Sequence, residues 1–129
     1  MKIKIEMLSK HIATPEETGK GTGVYILPLH GPKHYERRAI TVFRTKVDIK
    51  VPKGYVMEMY DNRDVCREYG IKLVGGVVLR SSIDKGEIML EFDYSNFNWV
   101  EDRNLPIHKL VLFRMAKAGV KCDWDTEGA

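Results

Sequence analysis

The 129-residue chain is expected to fold as an all-β domain, a distorted β-barrel or jelly roll with one short helix. Three observations predict this. Apolar residues recur at every second position in several short runs, most clearly where Val47, Ile49 and Val51 alternate with Lys46, Asp48 and Lys50. Turn signals return every ~8–12 residues, the spacing of a sandwich or closed barrel. Only one stretch, Asp61–Gly70, has the punctuation of a helix, with Asp61 or Asn62 to cap it and Gly70 to end it.

Taken in order, Met1–Leu8 reads as a strand with Ile3, Ile5 and Met7 on one face and Lys2, Lys4 and Glu6 on the other. His11–Gly23 is a turn-rich loop. Val24–Leu29 is a short apolar strand closed by Pro28 and Gly31-Pro32. Ile40–Phe43, Val47–Val51 and Tyr55–Tyr60 are strands, the last two separated by the Pro52-Lys53-Gly54 turn. After the helix, Ile71–Leu79 is a nearly continuous apolar strand interrupted by Gly75-Gly76. Asp84-Lys85-Gly86 is a tight turn into Ile88–Phe92, Ser95–Asn104 an aromatic and polar hairpin, and Ile107–Met115 the last strand.

Composition fits one globular domain: 43% of residues are hydrophobic and 30% charged, with a net charge of +3. No apolar run approaches the ~20 residues of a membrane helix, and MKIKIEMLSK lacks the apolar core of a signal peptide. A cytoplasmic protein without membrane association is therefore expected. Cys66 and Cys122 lack metal-ligand spacing, and His11, His30, His34 and His108 are scattered, so no metal site is expected. The basic run Lys33–Arg38 reads as a solvated loop.

The segment Val47–Glu91 resembles the middle of a dUTPase, in the dUTPase and dCTP deaminase superfamily. That family has an alternating strand, a Pro-x-Gly-Tyr turn, an Arg-Ser-Gly or Arg-Ser-Ser loop, a helical piece ending at glycine, and a hairpin reading roughly Gly-Val-Ile-Asp-x-x-Tyr-x-Gly-Glu. The matching frame here is Val51-Pro52-Lys53-Gly54-Tyr55, then Tyr69-Gly70, then Lys85-Gly86-Glu87-Ile88, without gaps. More loosely, Leu105–Leu112 is similar to the fourth motif and Thr22–Leu27 to the first. The resemblance implies the dUTPase fold over residues 1–115. It leaves 116–129 as a short tail that lacks the family's glycine-rich arm.

The same frame implies a degenerate site. The aspartate that orients the attacking water falls on Ser81, and a serine hydroxyl is a poor base near neutral pH. The tyrosine that packs under the deoxyribose falls on Asp84. The phosphate loop falls on Asn62-Arg63-Asp64, the fourth-motif glutamine on Lys109 and its arginine on Pro106. The first-motif aspartate falls on Tyr25 or Ile26. If a nucleotide binds, the resemblance places it against Arg63, Ser81, Asp84, Lys85, Gly86 and Lys109. Mg²⁺ would enter only with that nucleotide, and Glu58, Asp61 and Asp64 are the carboxylates that would hold it. A second register treats Arg80-Ser81-Ser82 as the phosphate loop, at the expense of all three glycine matches.

Three functions stay open. The first is a non-catalytic dUTPase-like protein of phage type that binds or inhibits a partner protein. Phe97, Trp99 and Trp124 are its candidate anchors, since aromatic residues dominate interface hot spots. The second is a protein that binds a pyrimidine deoxynucleotide without hydrolysing it. The third is an active dUTP pyrophosphatase with altered site residues. The resemblance makes a homo-oligomer, a trimer first, the expected assembly.

Overall fold

In a computed structural model of the chain, the structure describes residues 2–31, 40–97 and 105–119. The strands are β1 (Lys4–Met7), β2 (Glu16–Glu17), β3 (Val24–Leu27), β4 (Ile40–Arg44), β5 (Val47–Lys50) and β6 (Tyr55–Asp61). Helix α1 (Arg63–Tyr69) follows, then β7 (Lys72–Leu73), β8 (Val77–Ser81), β9 (Met89–Asp93), a 3-10 turn at Ile107–Lys109 and β10 (Val111–Lys117).

All pairings are antiparallel. β1 pairs with β5, five strands run in the order β2-β3-β10-β6-β8, and three in the order β4-β9-β7. Among the described residues the ladders do not close into a barrel, so the all-β expectation is met in its jelly-roll-like form. Alternation sends one face of each sheet into a shared core. Leu27, Val111, Phe113, Met57 and Met59 come from the five-stranded sheet, Phe43, Leu90, Phe92 and Leu73 from the three-stranded one, and Val47 and Ile49 from β5. Phe43 meets Phe92 edge-on at 5.4 Å and stacks on Tyr94 at 6.2 Å. Each fully buried side chain of this size contributes about 1.5–3 kcal/mol over exposure.

The three glycines of the matching frame have structural reasons. Gly54, Gly70 and Gly86 all have positive φ, at 87°, 71° and 93°. Gly70 ends α1 in the left-handed conformation, and a Cβ there would sit 2.0 Å from the Asn96 carbonyl oxygen. No larger residue fits without moving the backbone.

Several boundaries differ from the sequence expectation. Ile71–Leu79 is two strands in different sheets: β7 pairs with β9 and β8 with β6. Gly75 and Gly76, with φ of 87° and 75°, make the crossing. Ile107–Lys109 is a 3-10 turn, because Lys109 N–H bonds back to the Pro106 carbonyl at 2.9 Å, and the strand begins only at Val111. That strand runs on to Lys117, and Ala118 N–H reaches the Gly54 carbonyl, so the folded body extends past residue 115. The His11–Gly23 loop contains β2, which no hydrophobic pattern signals. The N-terminal strand shortens to Lys4–Met7, and all four of its residues are exposed. The Ser95–Asn104 hairpin lies mostly outside the described residues. Its described part is a turn, Phe97 N–H to Tyr94 O at 2.9 Å. The Lys33–Arg38 run, His34 and Cys122 also lie outside them.

Candidate functional site

The expected hairpin is instead a turn that carries the chain from β8 in one sheet to β9 in another, and it is built around its own polar groups. Asp84 N–H bonds the Ser81 carbonyl at 3.1 Å. In return the Asp84 carboxylate accepts the Ser81 N–H at 2.7 Å and the Ser81 hydroxyl at 3.2 Å. The backbone N–H of Ser81, and then its hydroxyl, hold the Asp84 carboxyl below the usual carboxylate range. A carboxylate so stabilised is a weaker base, and its Oδ2 takes both Ser81 bonds. Ser81 and Asp84 therefore satisfy each other across the turn. Lys85 at the tip is exposed, and Gly86 supplies the positive φ that returns the chain.

The Arg80 side chain is buried. Its guanidinium donates to Asp48 Oδ1 at 2.7 Å, to the Gly86 carbonyl at 2.9 Å and to the Ile49 carbonyl at 3.0 Å. It rivets the turn to β5, with Nε and Nη2 committed to the fold. The register that reads Arg80-Ser81-Ser82 as a phosphate loop thus meets an arginine already used by the fold. Next along, Glu87 accepts Arg44 Nη2 at 2.7 Å and Nε at 3.0 Å, and the Lys46 N–H at 3.1 Å. The bond to Arg44 leads the causes that lower the Glu87 carboxyl. Lys46 sits at φ 55°, so Glu87 clamps a strained β4–β5 corner.

The second locus lies where β6 enters α1. Asn62 donates its N–H to the Leu110 carbonyl at 2.7 Å and its side-chain amide to the Lys109 carbonyl at 3.1 Å. The positions that the resemblance gives to the second and fourth motifs are thereby joined. Lys109 and His108 line a groove of about 490 Å³ with Glu16, Ile26 and Pro28, which brings the first-motif position Ile26 to the same place. Arg63 instead lines a separate cleft of about 320 Å³ with Asp61, Arg67 and Lys72.

These two loci cannot be one site within one copy. The register sets Ser81 opposite Val56, six residues before Asn62 along the same strand. At ~3.3 Å per residue the separation is roughly 20 Å. So Ser81, Asp84, Lys85 and Gly86 stand at one end of β6, and Arg63 and Lys109 at the other.

The carboxylates named for Mg²⁺ do not converge. Glu58 is bound to Arg114 at 2.8 Å on the outer face of the sheet. Asp61 points to the other face and accepts the Leu73 N–H at 3.4 Å, while Asp64 is exposed. Among the described residues no three His, Cys, Asp or Glu gather to hold a metal. Glu58, Asp61 and Asp64 therefore do not form one donor set, and no chemistry is assigned to the ion.

Cys66 is a buried thiol, pushed up to about 12 by burial and then by the Asp61 charge, and its Sγ–H faces the Leu110 carbonyl. Such a thiol is inert. Phe97 is not a surface anchor: it is buried and stacks on Tyr94 at 5.2 Å, because the turn at Tyr94–Phe97 folds it inward. Trp99 and Trp124 lie outside the described residues. Sequence reasoning missed His30, whose Nε2 is buried without a hydrogen-bond partner among the described residues. Its backbone bridges Arg44 in both directions, at 2.6 and 3.1 Å. No spacing in the sequence marks that contact. No helix among the described residues is long and apolar enough to cross a membrane.

No protein-family model matches the chain, and no curated protein does. Solved structures do match. The dUTPase of Staphylococcus aureus phage phi11 aligns over 100% of this chain and 98% of its own, with 12% identity and a TM-score of 0.72. A variant of that enzyme that coordinates a structural Mg(II) ion aligns over 99% and 98%, at 12% identity and a TM-score of 0.73. A variant of the Staphylococcus bacteriophage 80alpha dUTPase with dUpNHpp aligns over 99% and 97%, at 13% identity and a TM-score of 0.72. The chain has the dUTPase fold, in a divergent form.

Proposed function

We propose that this chain is a non-catalytic dUTPase-fold protein that works by binding another protein. One observation carries the reading. At the hairpin position that the resemblance gives to the water-orienting aspartate stands Ser81, and its hydroxyl and N–H are both engaged by Asp84. Asp84 in the same turn is committed through Oδ2 to Ser81, and those bonds hold its carboxyl below the usual range, which makes it a weaker base. Relatives of this fold offer a precedent for a second role. The phage 80alpha dUTPase is described as controlling transfer of virulence genes by a G protein-like mechanism. We place this protein in the same setting: phage-encoded, soluble in the cytoplasm, and a homo-oligomer with a trimer as first expectation.

One observation favours a second reading, nucleotide binding without hydrolysis. The groove at Ile26, His108 and Lys109 joins two motif positions and has the Lys109 ammonium at its edge, with Glu16 also in its lining. Phosphate there would gain charge-assisted hydrogen bonds from Lys109. A turn to read the base would have to come from a second copy, since the chain's own is roughly 20 Å away.

Melting curves with dUTP, dUMP, dCTP and dTTP, each with Mg²⁺, separate the two. Ligand binding to the folded state must raise the melting temperature. No shift with any nucleotide is expected. A shift of several degrees with one of them would replace the first reading by the second. Capture of a protein partner from the native host extract would then identify what the fold binds.

A further inference from the structure

β1 is exposed along its whole length and is paired on one side only, with β5. The direction of its hydrogen bonds is fixed. The Leu8 N–H donates to the Lys46 carbonyl at 2.9 Å, and the register carries that pairing on to Glu6 opposite Asp48 and Lys4 opposite Lys50. Hydrogen-bonded and non-bonded pairs alternate along an antiparallel ladder, so Ile5 and Met7 aim their N–H and C=O groups away from β5. β5 agrees with this. The carbonyls of Val47 and Ile49, opposite Met7 and Ile5, turn from β1 to accept the Ile88 N–H at 3.1 Å and Arg80 Nε at 3.0 Å. Among the described residues, no backbone group meets the outward groups of Ile5 and Met7.

An apolar groove adjoins this edge. Ile5 stands opposite Ile49, and with Ile3, Tyr25 and Phe113 the two line a groove of about 250 Å³, where Tyr25 and Phe113 stack at 5.4 Å. Ile5 and Met7 stay 36% and 37% exposed. An extended segment laid on the edge closes the open main-chain bonds and sends alternate side chains toward the groove.

The other face of β1 sets what stands between those apolar positions. Lys4 lies directly opposite Lys50, and Lys2 follows on the same face. Like charges opposite one another repel, and neither Lys4 nor Lys50 has an ion pair among the described residues. An acid in the next strand, opposite Lys4, relieves that pair. Glu6 lies opposite Asp48, whose carboxylate is taken by Arg80, so the place facing Glu6 suits a neutral residue. β1 of a second copy brings one acid, Glu6, beside two lysines, and fits this column less well than a segment with acids facing both Lys2 and Lys4.

We propose that the free edge of β1 takes an extended segment of the partner protein as an added antiparallel strand, with apolar side chains toward the groove and acids opposite Lys2 and Lys4. This rests on the reading of the chain as a protein-binding module, and names the surface and the kind of segment it takes.

The probe is a terminally blocked peptide, Val-Thr-Val-Glu-Val-Glu, whose residues face Met7 to Lys2 in turn. It is titrated into the isotope-labelled full chain and followed by NMR. Binding is expected below about 1 mM. The amide protons of Ile5 and Met7 are expected to become slow to exchange, while those of Lys4 and Glu6, already bonded to β5, keep their rates. N-methylation of the valine that faces Ile5 is expected to weaken binding at least about tenfold, since it blocks a main-chain bond and the approach of the strand. Ile5→Pro removes an N–H that β5 does not use, which an edge strand tolerates, and is expected to abolish binding with circular dichroism unchanged. Lys4→Glu is expected to weaken binding about threefold or more, and a peptide with lysine facing that position to recover it. If Ile5→Pro fails to fold, the N-methylated peptide still decides, because it needs no variant. No binding up to about 1 mM overturns the proposal, as does equal binding of the N-methylated peptide. Protection of the Ile5 and Met7 amides that rises with protein concentration and needs no peptide gives the edge to a second copy and also overturns it. The titration uses no nucleotide, so its failure is distinct from that of the protein-binding reading, which a nucleotide-driven melting shift would replace.

Discussion

Gly70, Arg80 and His30 show how single residues carry this fold. Gly70 combines a left-handed φ with a carbonyl where its Cβ would be, so Gly70→Ala is expected to cost about 3 kcal/mol or more. Gly54→Ala has the same sign of φ but open space around it, and is expected to cost only about 1 kcal/mol. Urea denaturation of the two variants checks the difference. Both glycines were legible in the sequence, because a positive-φ turn tends to select glycine. Arg80 was not legible. Beside Ser81 and Ser82 it spells a phosphate ligand, and only the fold reveals that Asp48, 32 residues earlier, receives it. Arg80→Met is expected to destabilise by about 3–5 kcal/mol, since it strands Asp48 in a buried position. A phosphate-binding arginine would instead have left stability nearly unchanged.

His30 gives the protein an acid sensitivity above the carboxylate range. Burial, then the Lys46 charge, lowers its pKa from 6.5, while Glu87 opposes both. The unfolded chain therefore takes up the proton first, and stability is full above about pH 6.5 and falls as pH drops below it. Below the ordinary carboxylate range, Glu87 and Asp84 add to the loss, because both have depressed values in the fold. His30→Gln is expected to flatten the dependence of melting temperature on pH between about pH 7 and pH 5. An unchanged slope would place the titration elsewhere.

At the scale of elements, alternation found the strands and turn chemistry found most of their ends. It did not find where the chain changes sheet. Ile71–Leu79 is apolar throughout, so a strand in one sheet and a strand in another look alike until Gly75 and Gly76 are seen to turn. Nor could it find β2, a polar pair that bonds the backbone of β3 and whose Glu17 accepts the N–H groups of Gly21 and Gly23. Pro106 hid the 3-10 turn inside an apolar run. The Asp84-Lys85-Gly86 turn was legible, but not that it joins two sheets rather than a hairpin, nor that Ser81 and Asp84 bond across it, because both are matters of distance. Asp84→Ala is expected to cost about 1 kcal/mol and to raise the exchange rate of the Ser81 amide proton several-fold, measured by NMR. If Asp84 held a nucleotide instead, the amide would be indifferent and ligand response would change.

For the whole molecule, the sequence carried the fold further than the site. Backbone-shaping residues survive in register, and solved phage dUTPases superpose over nearly the full chain at 12–13% identity. At the positions that the resemblance gives to the reaction stand other residues, and two of them, Ser81 and Asp84, bond each other. The positions assigned to one nucleotide site fall at the two ends of β6, which no linear spacing reveals. A kept fold does not by itself carry a kept function, and the proposed loss of hydrolysis rests on Ser81 standing where the resemblance expects a carboxylate. The most direct test is to incubate the purified chain with dUTP and Mg²⁺ at near-stoichiometric concentration and follow dUMP and pyrophosphate by phosphorus NMR. The proposed non-catalytic reading predicts no pyrophosphate above the protein-free control. Conversion of dUTP that scales with protein concentration and disappears when the folded protein is denatured would contradict it.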